Sequence, residues 1–297
     1  AQWAKDEVFQ GWHIENGIGS AKIWLTWEKG ALQLVQSIFQ IYDVKLQSDT
    51  DKSIHGINRL SGNVGYKVEN GNEIIAADDI LVDLPGHYWP LSNFYILLTK
   101  DQHEKLNLKK INVGYFNVND VLKFVDSSPA ILPQDVRKTI ADLALQGSVQ
   151  NARLTYADGS TDWHQAVLET TFSGISFLPW QSFPGVKNLD GTIKLNGENI
   201  NLAIKSQQVG IQYDAIFSKP IWLNQLSLNV DLNHVKDGSW SATLASMRAM
   251  NSDIDFSASG NIQEIGKKSP RLDLKANFNV NNISRLKKYL PMRVFEP

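Results

Sequence analysis

The chain of 297 residues contains no cysteine and only three methionines. The absence of cysteine excludes disulfide frameworks, thiolate metal sites and cysteine nucleophiles. Charge of one sign is also missing. Lys+Arg 29 against Asp+Glu 31 leaves a formal net charge of −2, which excludes an acidic disordered tail and a basic nucleic-acid arm. No apolar run reaches the roughly 18–20 residues that a membrane-spanning helix needs. The start, Ala1-Gln2-Trp3, carries neither an initiator Met nor a charged-then-apolar leader. It reads as a mature protein or as a length excised from a larger one. What is present is 42% hydrophobic residues and nine tryptophans in a chain of mean hydropathy −0.25. Many aromatics in a polar-average chain point to amphipathic strands.

Strict alternation is the dominant pattern. Leu226, Leu228, Val230 and Leu232 alternate with Ser227, Asn229 and Asp231. Leu272, Leu274, Ala276, Phe278 and Val280 alternate with polar residues in the same way. So do Ile254, Phe256 and Ala258, then Ile200, Leu202 and Ile204, and near the start Ile23, Leu25 and Trp27. A period of two puts every apolar side chain on one face of a pleated sheet. A sheet with one wet face is normally antiparallel. Asn16-Gly17, Asn70-Gly71, Asp158-Gly159, Asn196-Gly197 and Asp237-Gly238 sit between strand-like segments. Such pairs accept the positive φ of tight hairpin turns, so a meander of hairpins is the simplest topology.

Helix is scarce. One is predicted from about Val118 to Val125, capped by Asn117 or Asn119. A second starts at Pro133 and runs to Leu143, with Val136, Ile140 and Leu143 on one face. A third spans Ile283 to Tyr289. The first two form a helical insert over 117–144. It divides the chain into a first β segment, 1–116, and a second, 145–297, which ends in the short helix. Leu60-Ser61-Gly62, Leu145-Gln146-Gly147 and Leu189-Asp190-Gly191 share a Leu-x-Gly form. This is either a weak internal repeat or simply a common way for strands to begin.

No catalytic signature is present: no phosphate loop, dinucleotide fingerprint, nucleophile elbow or paired-histidine zinc helix. The six histidines are scattered. Asp78 and Asp79 are adjacent, and on a strand they would face opposite sides. Asp158 and Asp162 have the composition of a calcium loop but lack its closing Glu, so a hairpin turn is the better reading. Exposed tryptophans such as Trp24 and Trp27 could serve as sugar platforms, or could plug sheet ends and loop corners. Lys and Arg form no stripe, which argues against nucleic acid as a partner. No cofactor is implied.

Several segments are familiar in combination. They are Leu189-Asp190-Gly191-Thr192-Ile193-Lys194-Leu195, Pro220-Ile221-Trp222-Leu223-Asn224-Gln225-Leu226, Gly238-Ser239-Trp240, Phe183-Pro184-Gly185 and Arg285-Leu286-Lys287-Lys288-Tyr289-Leu290-Pro291. Together, over about Trp12 to Pro291, the sequence resembles the YhdP branch of the AsmA-like proteins. The resemblance implies an internal fragment of a periplasmic protein, anchored in the inner membrane by a helix absent from this chain. It implies a mainly β fold, a long twisted antiparallel sheet curled into an apolar groove. It also implies phospholipid movement between the inner and outer membranes, with other envelope proteins as partners, and no enzyme activity. The alternating residues Ile200, Leu202, Ile204, Leu226, Leu228, Val230, Leu232, Ile254, Phe256, Leu272, Leu274 and Phe278 are the expected lining for acyl chains. A sugar-binding or adhesion sandwich and a structural spacer without a ligand are the alternatives.

Overall fold

The computed structural model describes residues 12–49, 51–101, 103, 105–126, 134–157, 160, 162–180, 184–214, 217, 219–235, 237–281 and 283–289. The chain is mainly β. Among the described residues fifteen strands are hydrogen-bonded in chain order into an antiparallel sheet that does not close into a barrel, with only the fifth lying off the main path. The expected meander is therefore present. The chain divides into two compact units, Ala1–Lys138 with Gln150–Trp163, and Thr139–Val149 with His164–Pro297.

The first unit contains β1 (Trp12–Glu28), β2 (Ala31–Ser48), β3 (Ile54–Glu69), β4 (Asn72–Leu84), the two-residue β5 (His87–Tyr88), β6 (Ser92–Lys100) and β7 (Leu106–Asn117), followed by helix α1 (Val118–Asp126). Direct cross-strand partners share a face. The register sets Ala21 against Phe39, Leu25 against Val35, Phe39 against Gly62 and Ile41 against Leu60. It continues with Tyr66 against Ile75, Ile75 against Ile96 and Ile96 against Ile111. One face of β1–β7 is thus almost wholly apolar. Asn117 Oδ1 caps α1 by accepting the N–H of Asp120 at 3.2 Å. The buried Asp120 carboxylate then ties the helix to the β5–β6 corner. His87 Nε2 lies 2.7 Å from its Oδ2, and Trp89 Nε1 donates to the same oxygen at 2.9 Å. Trp89 packs edge-on against Tyr115, so this tryptophan does plug a loop corner.

The second unit contains β9 (Ala166–Phe177), β10 (Gly185–Asn196), β11 (Asn199–Gln212), β12 (Ile221–His234), β13 (Trp240–Met250), β14 (Ile254–Ile265) and β15 (Arg271–Val280). Helix α2 (Gln134–Leu143) and strand β8 (Gln146–Tyr156) have residues in both units. The core of the second unit is built from Ile204, Val209, Leu223, Leu226 and Ala249, with Phe172, Leu202, Leu228, Met247 and Phe256 packed against it. After β15 the chain forms a 3₁₀ helix, Ile283–Tyr289, where an ordinary helix was expected. Its docking is polar. The buried Asp253 accepts from Tyr289 OH at 3.0 Å and from Arg285 Nη1 at 3.2 Å, and Asn251 Nδ2 donates to Tyr289 OH at 2.9 Å.

Several local expectations need correcting. Asn16-Gly17 is not a turn. It lies inside β1, where the register slips between Ile14 and Asn16 and again between Asn16 and Ile18. Asn-Gly tolerates a bulge as readily as a turn. Asn70-Gly71, Asn196-Gly197 and Asp237-Gly238 do form turns, whereas Asp158-Gly159 lies outside the described residues. So do Pro133 and Pro291, and the side chain of Val136. Asp79, next to Asp78, has φ 54° and belongs to a bulge in β4, so the pair does not follow simple strand alternation.

The β2–β3 turn is pinned by one carboxylate. Asp51 accepts from the Ser53 hydroxyl at 2.7 Å and from the Ser53 N–H at 3.0 Å. These bonds, with a smaller share from Ser48, hold its carboxyl at about 2 against an ordinary 3.8. A depressed carboxylate stabilises the folded state fully above its unfolded value and loses that contribution as pH falls through the folded one. The carboxyl-carbon NMR titration of Asp51 is therefore expected to have its midpoint near 2. A midpoint at the ordinary value would mean that the turn is not closed by these bonds.

Candidate functional site

In the first unit, strands β1, β2 and β3 enclose an open trough of about 730 Å³. Its walls are Ile14, Phe39, Ile41, Val44, Leu46, Ile57 and Leu60, and Glu15 is the one charged residue among its described lining. Phe39 and Ile41 keep the period of two. Val44 and Leu46 are out of phase with them, yet they line the same space. The switch occurs at Asp43, whose backbone is left-handed at φ 51°. A non-glycine residue accepts that conformation at some cost, and Asp is among the side chains that tolerate it best. On β1 the double register slip around Asn16 accompanies it. Glycines widen the space. A Cβ on Gly17 would lie 3.4 Å from Val44 Cγ2, and one on Gly19 would lie 3.4 Å from Ile41 Cγ1.

One long wall of the trough is β1, an edge strand of the described sheet, hydrogen-bonded only to β2. Ile14 on this strand is 38% exposed, and Ile23 and Leu25 further along are exposed as well. The lining offers almost no directional partner for a ligand. It is suited to a flexible apolar chain whose polar end stays in water. At the far end of the same unit, burial and then a hydrogen bond with Glu73 push the Tyr66 phenol above its ordinary range.

The twelve residues expected from sequence to line a groove all fall in the second unit, and the register brings them to one face of β11–β15. Ile200 stands opposite Leu232, Leu202 opposite Val230, and Ile204 opposite Leu228. Leu226 meets Ala249, which meets Phe256, which meets Phe278. Val230 meets Leu244, then Gly260, then Leu274, and Leu272 pairs with Ile262. Ile254 joins them by alternation along β14. Their accessibility is graded. Ile204, Leu226 and Ile254 are buried, Ile200, Leu202, Leu228, Val230, Leu232 and Phe256 are half-buried, and Leu272, Leu274 and Phe278 on β15 are exposed. The opposite face is wet and internally bonded: Asn201 Nδ2 donates to Asp231 at 2.7 Å, and Arg248 holds Asp255 at 2.8 and 3.0 Å.

The first-unit trough was not among the residues singled out from sequence. Its residues belong to strands whose alternation is broken, and alternation was the signal used. Two glycines within β1 and the apolar residues 39, 41, 44 and 46 on β2 are the traces it left.

Among the described residues no cluster of His, Asp and Glu could hold a metal ion. No described helix is long and apolar enough to cross a membrane. Fold and site thus define a class, an open antiparallel meander with an apolar face and an apolar trough. The chain belongs to the YhdP protein family, whose family model matches residues 1–297. No curated protein and no solved structure matches the chain.

Proposed function

We propose that this chain is a periplasmic, non-enzymatic length of a lipid conduit, and that it receives phospholipid acyl chains on the apolar face of its strands. The open trough of about 730 Å³ walled by aliphatic side chains is the observation that carries this reading. A methylene removed from water contributes about 0.8 kcal/mol, so an acyl chain of some fifteen carbons gains roughly 10 kcal/mol in such a site. Aliphatic walls give no preferred stopping point, and a lipid can slide along them with its head group in water. In this reading the sheet serves movement of phospholipid between the inner and outer membranes. An anchor helix outside this chain and other envelope proteins would supply its attachment at either end.

Native mass spectrometry of the purified chain tests the proposal. The expected result is a phospholipid retained per chain and displaced by a competing fatty acid. A chain that carries no lipid and takes up none from vesicles would overturn it. It would leave the alternative of a structural spacer.

A further inference from the structure

The apolar face of the first unit continues past the trough. Leu60 lines the trough on β3. It is followed on the same face by Gly62, Val64 and Tyr66, set against Phe39, Ser37 and Val35 of β2. At about 3.3 Å per residue, Tyr66 lies roughly 20 Å from Leu60 along the strand. An extended acyl chain has that reach. One row further on, beside the β3–β4 turn, the register sets Val68 against Glu73, Glu73 against Leu98 and Leu98 against Leu108. Direct partners share a face, so this is the outermost row of the same apolar face, and Glu73 is its charged member.

Glu73 runs against the local pattern. Glu is a poor strand residue, and both cross-strand partners here are aliphatic. The residue is half-buried and makes no ion pair with a described residue. Glu69, across the turn, is by contrast paired with Lys67 at 2.9 Å. Taking a carboxylate half out of water without a cation is unfavourable. Its field is felt nearby. Burial raises the Tyr66 phenol, and the hydrogen bond and charge of Glu73 raise it further, while Lys100 at the end of β6 acts in the opposite sense. The rim thus holds a carboxylate, a phenol and an ammonium at the edge of an aliphatic floor.

That arrangement has a complement among lipids. A phosphodiester head group that ends in a primary ammonium carries both signs within one short unit. With the acyl chain laid on the floor between Glu73 and the trough, the ammonium meets the Glu73 carboxylate in a charge-assisted hydrogen bond. The phosphodiester then lies on the Lys100 side of the rim. A head group ending in glycerol offers Glu73 only neutral hydroxyls and a phosphate of like charge.

We infer that the Glu73 rim of the first unit selects phospholipids whose head group ends in an ammonium, an inference that rests on the acyl-chain role proposed above. The test offers the whole chain vesicles with equal amounts of phosphatidylethanolamine and phosphatidylglycerol carrying the same acyl chains. Native mass spectrometry reads the retained lipid. Phosphatidylethanolamine is expected in about threefold excess or more. Glu73→Gln, which keeps the side-chain shape, should bring the two lipids to parity, and Glu73→Lys should reverse the preference. Glu73→Leu should abolish it and also raise the thermal midpoint, because Leu suits a row of Val68, Leu98 and Leu108 better.

Retained lipid that matches the vesicles, or favours phosphatidylglycerol, in the parent chain would overturn the inference and leave the conduit standing. So would a preference that Glu73→Gln leaves intact. A parent chain that retains neither lipid would overturn both.

Discussion

Ile14→Asp is expected to empty the first-unit trough while leaving the sheet folded. Ile14 lines the trough from the edge strand β1, where it stands opposite Leu46, and is 38% exposed there. Its replacement removes only part of one aliphatic contact at the sheet edge, and the poor strand propensity of Asp costs about 1 kcal/mol. A bound acyl chain would cover the new carboxylate and strip its water, with no cation in the described lining to compensate. Burying an unpaired charge costs several kcal/mol, which at 1.4 kcal/mol per decade means about a hundredfold loss of affinity or more. The measurement is phospholipid per chain by mass spectrometry, alongside the thermal midpoint. Ile14→Val should behave as the parent chain. Full lipid occupancy in the aspartate variant would show that acyl chains do not use this trough.

The second large effect is on stability. Gly191→Ala should destabilise the second unit by about 3 kcal/mol, or roughly 6–12 °C in thermal midpoint. A Cβ at this position would lie 2.3 Å from the backbone oxygen of Ala203, 2.8 Å from Phe172 Cζ and 3.2 Å from Ile204 Cα. Two of these three are backbone atoms, and Ala203 and Ile204 are β11 residues paired with this stretch of β10, so the strands must separate or shift. Gly65→Ala is its opposite, neutral or slightly stabilising, since a Cβ there would meet nothing nearer than Val35 O at 3.7 Å. A Gly191→Ala variant as stable as the parent would mean that β10 and β11 are less closely paired than this.

Glycines also mark how far the sequence could be read. The Leu-x-Gly form shared by residues 60–62, 145–147 and 189–191 is a physical feature rather than a strand-start habit. Gly62 faces the β4 bulge at Asp79, a Cβ on Gly147 would lie 2.9 Å from Ile175 beside the left-handed Gly174, and Gly191 sits tightly between β9 and β11. Each glycine leaves room where a neighbouring strand presses in. The clean alternation of β11, β12, β14 and β15 correctly anticipated which residues share a face, because a period of two survives wherever the ladder is regular. The same rule failed on β1 and β2. There a left-handed Asp43 and a bulge at Asn16 change the phase, and a bulge cannot be told from a turn by Asn-Gly alone. The trough escaped notice for that reason. Its walls come from both phases of β2, and a single-phase search finds only half of them.

The strand order carries one more consequence. Every described strand on the main path is bonded to its neighbours in the chain, and no pairing waits for a distant segment. Closing a short hairpin loop costs little entropy, and doubling a loop adds only about 0.6 kcal/mol. A sheet of this kind therefore grows as a zipper does, one tooth fixing the next. Its stability accumulates along a line, much as in repeat proteins. A damaged strand should loosen its immediate neighbours first. Evolution can lengthen or shorten such a scaffold hairpin by hairpin, because the described sheet is open and has no barrel to reclose.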